Sequence, residues 1–389
     1  MGCLKSVAAS VAEVLCDFVR VLRLDEHQAH VAASIMACRT GRLGGHRALC
    51  PDCHSIHYAY HSCRNRHCPT CGHLDQALWA EAQLQELLPV SYFHVIFTVP
   101  ASLRPFFRGD NRALALNALF KAVSETLSEA GASRGVRFGI LAVLHTWTQK
   151  LKFHPHVHCL VTGGGLGPDG FVHHQRYLLP RKVLQVLFKA KLLSSIQALH
   201  REGHLHVARH SGYELLRDAS LRKWNVEVRK PLAGPRQVVE YFARYTRRIA
   251  ISNSRIVSYD HETVAFRWRD SAHGNRQKVD RLDGETFAKR FLQHVLPPRF
   301  VRIRRYGLLS NRLRKDAIEQ CRKLLDVDPP PEPPLETRAQ ACLRIFGRDP
   351  LLCPKCKKAR MVIVATWRAT RRSMQPVIHW LLSEPLCPT

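Results

Sequence analysis

The chain has no apolar run approaching the ~20 residues that a helix needs to cross a bilayer, so a membrane-spanning protein is not expected. Its first residues, Met1-Gly2-Cys3-Leu4-Lys5, lack the charged start, long apolar core and small-residue cleavage site of a secretory signal, and a cytoplasmic location is expected. No G-x4-G-K-[S/T] phosphate loop occurs anywhere. Acidic residues are scarce. Asp and Glu total 31 against 59 Lys and Arg, leaving a formal charge of +28 spread along the chain rather than gathered in one tail. Such a surface attracts polyanions before any specific contact forms. Nucleic acid is the first expectation, and charge alone does not reject an anionic membrane surface or ribosomal RNA.

Cysteine and histidine, by contrast, are plentiful, at 14 and 23 residues. In a cytoplasmic chain, clustered cysteines mixed with histidine bind metal more often than they form disulfides. Cys50-Pro51-Asp52-Cys53 and Cys68-Pro69-Thr70-Cys71 are two C-x2-C knuckles with 14 residues between them, a spacing that suits one tetrahedral zinc site. Cys63, His67 and His46 remain as surplus ligands, for a different ligand set or a second metal. Arg64 and Arg66 inside the cluster make it a candidate DNA contact.

Periodicity predicts three regions. Residues 1–88 read as a helical and zinc-binding domain, with helical stretches over 7–40 and 76–88. Residues 89–325 read as a mixed α+β domain with a central antiparallel sheet. Strands are expected over 92–99, 138–148 and 156–162, the last broken by Gly163-Gly164-Gly165, and the second and third form a hairpin. Helices are expected up to 130, over 182–201 and over 235–249, with further strands near 224–228, 255–259, 263–268 and 300–304. Asp328-Pro329-Pro330-Pro331-Glu332-Pro333-Pro334 is a stiff linker opening a tail over 326–389. The tail carries one more knuckle, Cys353-Pro354-Lys355-Cys356, with Cys342, His379 and Cys387 as possible partners.

Two segments carry candidate chemistry. In His154-Pro155-His156-Val157-His158, strand alternation points the rings of His156 and His158 to one face, as a two-ligand clamp. A lone strand histidine is ordinarily a structural residue; the spacing of two, the apolar neighbours Val157 and Leu160, and His145 on the preceding strand argue for function. In a hairpin His145 approaches the pair as a third ligand, with Gln149 or His154 as alternatives. Three imidazoles suit zinc, copper or iron by softness, while phosphate oxygens of a substrate recruit magnesium or manganese. In Tyr241-Phe242-Ala243-Arg244-Tyr245 the two tyrosines are one helical turn apart, at the edge of an apolar stripe formed by Val238, Val239, Phe242 and Ile249. Boundary tyrosines often cover a core and leave the hydroxyl wet. Alternatively Arg244, Arg247 and Arg248 hold phosphates, or favour the phenolate of a phenol whose pKa of ~10 otherwise keeps it protonated.

The order of blocks resembles a known family. Ser62-Cys63-Arg64-Asn65-Arg66-His67-Cys68-Pro69-Thr70-Cys71, His94-Val95-Ile96-Phe97-Thr98-Val99-Pro100, Leu144-His145-Thr146-Trp147, His154 to Cys159 and Tyr241 to Arg248 follow one another as in two-tyrosine HUH transposases of bacterial insertion sequences that move by a rolling-circle route. The resemblance spans about residues 10–315. It implies an HUH-type catalytic domain, His156 and His158 as paired ligands for magnesium or manganese, and Tyr241 and Tyr245 as nucleophiles. A likeness to relaxases implies His145 as the third ligand. The implied reaction leaves a 5′-phosphotyrosine link on single-stranded or hairpin-extruded DNA at the element ends. A host helicase would supply unwinding, and the enzyme would act at the bacterial nucleoid. The tail knuckle looks like the family's terminal knuckle, with Lys357 in place of its usual glycine. A plasmid-type relaxase or replication initiator, and a non-catalytic zinc-dependent DNA-binding protein, are the competing readings.

Overall fold

The computed structural model describes residues 9–174, 180–229, 250–270 and 273–369. The chain opens with α1 (Val11–Phe18) and α2 (Glu26–Met36). Both start at capping boxes, Ser10 with Glu13 and Asp25 with Gln28, in which each side chain satisfies the other residue's backbone N–H. Strands β1 (Gly44–Leu49) and β2 (Ile56–Tyr60) form a hairpin, followed by α3 (His73–Leu84).

The central sheet is built from β3 (Tyr92–Thr98), β4 (Arg137–Trp147), β5 (Phe153–Gly167), β6 (Gly170–His173), β7 (Asn225–Val228) and β11 (Ile303–Gly307). Its order is β11-β4-β5-β3-β7, antiparallel throughout, with β6 pairing the end of β5. The long helices α4 (Arg112–Ala132) and α5 (Arg181–Arg201) pack on one face. Leu184, Phe188, Leu192 and Ile196 of α5 recur every fourth residue, so one stripe is buried, and Phe188 meets Phe97 of β3 edge to face. On this side Val157, Cys159 and Val161 of β5 share a core with Leu116, Leu119 and Val123 of α4. The opposite face carries His156, His158 and Leu160. Among the described residues, its far end is covered where Leu160, Leu141 and Tyr92 pack with Leu88, Ile318 and Cys321. The histidines lie at the other end of this face.

Beyond α6 (Arg209–Leu221), a second sheet of β8 (Ile256–Tyr259), β9 (Thr263–Asp270) and β10 (Arg276–Asp283) carries α7 (Gly284–Leu292), and α8 (Arg314–Leu324) follows β11. The tail contributes α9 (Arg338–Phe346) and β12 (Val362–Arg368). No described helix is long and apolar enough to cross a membrane.

The α+β class and the antiparallel hairpin of β4 and β5 agree with the sequence. Three differences have physical causes. Gly163-Gly164-Gly165 continues β5 rather than ending it, because backbones press in from both sides: a Cβ on Gly165 would stand 2.3 Å from the Arg137 carbonyl oxygen, and one on Gly164 2.5 Å from that of Val172. The boundary at 88/89 does not separate the packing, since Val14 and Leu15 of α1 belong to the same continuous core as Phe287 of α7 and the central sheet. Nor does the tail stand apart. β12 pairs antiparallel with β1, so the chain beyond the proline linker returns to the N-terminal hairpin. The helix expected over 235–249 lies outside the described residues.

Candidate functional site

β4 and β5 pair His145 directly opposite His156, and Val143 opposite His158. Side-chain alternation then puts all three rings on the sheet face opposite α4 and α5. One nitrogen of each ring lies within 4.8 Å of one nitrogen of the others, and no carboxylate joins the group among the described residues. His145 and His158 are buried and His156 is half-buried. His145 is stacked on Trp147, with ring centroids 4.3 Å apart.

Two further contacts orient the rings. His156 Nδ1 sits 2.7 Å from the His154 carbonyl oxygen, which only accepts, so Nδ1 carries the proton and Nε2 keeps its lone pair. His158 Nδ1 lies 2.9 Å from Nε2 of His94, on the adjacent strand β3, and the two rings are stacked at 5.1 Å. If His158 donates there, its Nε2 keeps its lone pair. His94 thus holds the His158 ring from behind, the kind of contact that fixes a histidine tautomer. Burial pushes His156 down to about 4 and His94 to about 3, and holds His158 well below the usual imidazole range with help from its neighbours. His156 and His158 are therefore neutral at physiological pH, the form in which an imidazole binds a metal. Of the alternative third ligands, His154 accepts from Arg104 through Nδ1 at 2.8 Å and does not join the cluster, and Gln149 is exposed, with its backbone carbonyl accepting from Arg255.

The cysteines form two groups of four, and their membership corrects the expected ligand set. Cys38, Cys63, Cys68 and Cys71 form one; Cys50 and Cys53 group with Cys353 and Cys356 instead of with Cys68 and Cys71. Sulfurs stand 3.6 Å apart for Cys63 and Cys71, and 3.7 Å apart for Cys50 and Cys356 and for Cys53 and Cys353. A tetrahedral site with Zn–S bonds of ~2.3 Å has an S···S edge of ~3.8 Å, so both groups fit zinc. Ser55, 3.2 Å from Cys53 and 3.4 Å from Cys353, draws both thiols down, Cys353 to about 5. His67 and His46 are not ligands. His67 accepts the Leu296 N–H at Nε2 (3.1 Å) and donates from Nδ1 to Asn65 (3.0 Å), so both ring nitrogens are already in use.

The Arg66 guanidinium donates to the carbonyls of Phe300 at 2.5 Å and Pro297 at 3.0 Å. Arg64 is exposed, in the left-handed backbone region at φ 52. Tyr241, Tyr245, Arg244, Arg247 and Arg248 lie outside the described residues, as do His379 and Cys387. On one side of that segment Arg229 donates its amide to the His94 carbonyl at 3.0 Å, next to the histidine cluster. On the other, Asn253 accepts the Val11 N–H and donates to Thr70.

Two residues escaped the sequence reading. Cys38 sits 25 positions before Cys63 with no knuckle spacing to mark it. His94 had a signal, as the one imidazole in an otherwise apolar buried strand, where an unpartnered polar group would be costly.

Comparison with known proteins assigns this arrangement to a class. Residues 10–99 match the family described as "Transposase zinc-binding domain", of the IS91 type, and residues 139–317 match the family described as "Putative transposase". The chain belongs to the IS91-type transposases, enzymes of DNA strand transfer encoded by insertion sequences. It is 41% identical over 362 residues to "Putative transposase y4qJ" of Sinorhizobium fredii, covering 88% of this chain and 90% of the relative. It is 29% identical over 350 residues to the transposase for insertion sequence element IS801 of Pseudomonas savastanoi pv. phaseolicola, covering 88% and 84%. No solved structure gives a significant match. The first matched range contains six of the eight clustered cysteines, and the second contains all three clustered histidines and both tyrosines.

Proposed function

We propose that the chain nicks and rejoins single-stranded DNA at the ends of its element, through a covalent link between a tyrosine oxygen and the 5′-phosphate. The observation that carries this reading is the cluster of three imidazoles, two of them held at Nδ1 from behind, by a carbonyl oxygen and by a further imidazole. His145, His156 and His158 would hold a divalent cation, magnesium or manganese completed by phosphate oxygens, which when bound supplies a Lewis acid that withdraws charge from the scissile phosphate.

Tyr241 or Tyr245 supplies the nucleophile. Its phenolic oxygen attacks phosphorus and gives up its proton; the P–O3′ bond breaks, and the departing 3′-oxygen takes a proton to become a hydroxyl. One phosphodiester is exchanged for another, so rejoining by the reverse attack needs no nucleotide, in keeping with the absence of a phosphate loop. Two tyrosines allow a second transfer while the first is occupied. Arg244, Arg247 and Arg248 are assigned to the phosphates flanking the cut, and Arg64 to DNA beside the zinc-binding domain. The chain brings no nucleotide-driven motor, and unwinding is assigned to a host helicase working on nucleoid DNA.

Digesting the covalent adduct with protease and weighing the DNA-linked peptide tests the assignment. A peptide modified at residue 241 or 245 is expected. Modification at any other residue, or no linked peptide, overturns it.

A further inference from the structure

β12, β1 and β2 form a small three-stranded sheet whose outer strands β2 and β12 are exposed along nearly their whole length, and one of its faces carries three large rings. Register places Tyr60, Gly45 and Trp367 in one row across that face, and Tyr58, Arg47 and Ala365 in the next. Tyr58 is 52% exposed, Tyr60 39% and Trp367 36%, unusually open for three large rings lying side by side. Both tyrosines meet Trp367 at 6.3 Å, with ring planes inclined at 63° and 80°, so the rings are tilted against one another rather than stacked in parallel. Gly45 makes room for the row: a Cβ there would stand 3.0 Å from the Trp367 ring and 2.6 Å from the Ala59 carbonyl oxygen.

The charge around these rings is of one sign. No Asp or Glu occurs on any of the three strands, while Arg47 sits exposed between Tyr58 and Ala365 on the same face. A second copy of this chain, at +28, would bring a basic surface against a basic face. A polyanion with flat apolar bases meets both features. In a duplex those bases are stacked on one another; in a single strand they are free to stack on aromatic side chains while the backbone runs along arginine.

We propose that this face is a stacking platform for single-stranded DNA, built jointly by the N-terminal hairpin and the C-terminal strand and held together by the four cysteines Cys50, Cys53, Cys353 and Cys356. Neither half suffices, since Tyr58 and Tyr60 come from β2 and Trp367 from β12. The knuckles of the two halves meet at one end of the sheet, where Cys50 and Cys353 pack with Ala48 and Met361. The proposal rests on the reading that the chain acts on single-stranded DNA, and adds where, away from the cut, the strand is gripped.

The test uses the full chain and a fluorescent oligothymidine strand, with affinity read by anisotropy. Replacing Tyr58 and Trp367 together by alanine should weaken binding at least about tenfold, while the same two positions as phenylalanine keep it, and affinity for a duplex of equal length stays unchanged. Arg47→Gln should lower the slope of log affinity against log salt by about one. Zinc content and circular dichroism are measured on every variant. Unchanged single-strand affinity in the alanine variant with its zinc intact overturns the proposal, as does a fall in native mass, which would make the face a contact between copies. Should the alanine variant lose its zinc, Arg47→Gln decides: an unchanged salt slope overturns the proposal. Wild-type protein that grips the strand through these rings yet forms no covalent adduct would leave the platform standing and remove the nuclease reading.

Discussion

At the residue scale, the outcome turns on which nitrogen of each histidine carries the proton. His94 touches no substrate; its Nε2 lies 2.9 Å from His158 Nδ1, and by accepting there it would leave His158 the Nε2 lone pair for a cation. Outer partners of this kind typically change metal affinity by ~10–100-fold. His94→Phe should therefore weaken manganese binding by about that factor in a calorimetric titration, and His94→Gln, whose amide oxygen still accepts, should restore most of it. Equal affinity in wild type and His94→Phe would remove the positioning role. His67 makes the complementary case. His67→Phe should leave zinc content unchanged while lowering stability by ~1–3 kcal/mol, because the buried Leu296 N–H loses its acceptor. Cys38→Ser should instead remove one zinc per chain. Elemental analysis beside a denaturant titration separates the two outcomes. The sequence marked His156 and His158 through their spacing. It could not show that His67 is engaged on both sides, because Leu296 lies 229 residues away.

At the scale of the elements, the site depends on β5 being long and straight enough to pair with β3, β4 and β6 at once. Its three glycines make the close approach possible. Gly165→Val should strain the β4–β5 ladder, since its Cβ has only backbone to push against, and lower stability by roughly 1–3 kcal/mol or more, read as a drop in melting temperature. A variant as stable as wild type would show that the strand yields at that point. This is also where local reading of the sequence went wrong. Glycine weakens a strand in isolation, and only the neighbours on both sides make it preferable here. The apolar strand at β3, the β4–β5 hairpin and the stripe of α5 were legible because period and burial agree. β1, β2 and β12 were not, being short, with β2 and β12 exposed along most of their length and β12 joining β1 across more than 300 residues.

At the scale of the whole molecule, the chain closes on itself. The knuckle at Cys353 and Cys356 meets Cys50 and Cys53, so the proline linker spans the gap between two parts of one structure. Cys353→Ser with Cys356→Ser should lower zinc from two per chain to one and make the linker near 326–334 the first site of limited proteolysis. Unchanged zinc would show that the second group holds no metal. The knuckle motifs were visible in the sequence, but their pairing was not, because spacing along the chain says nothing about which distant pair completes a tetrahedron. The basic charge, readable at once, predicts that binding to non-specific DNA weakens steeply as salt rises. The central claim is that the three histidines and the two tyrosines form one strand-transfer site. Labelled single strands covering the element ends, incubated with manganese and resolved under denaturing conditions, test it most directly. The account predicts a protein–DNA adduct with the wild-type chain, lost with His156→Ala and His158→Ala and lost when Tyr241 and Tyr245 are both phenylalanine. An adduct that survives the double tyrosine replacement, or DNA binding without any adduct in the wild type, would contradict it.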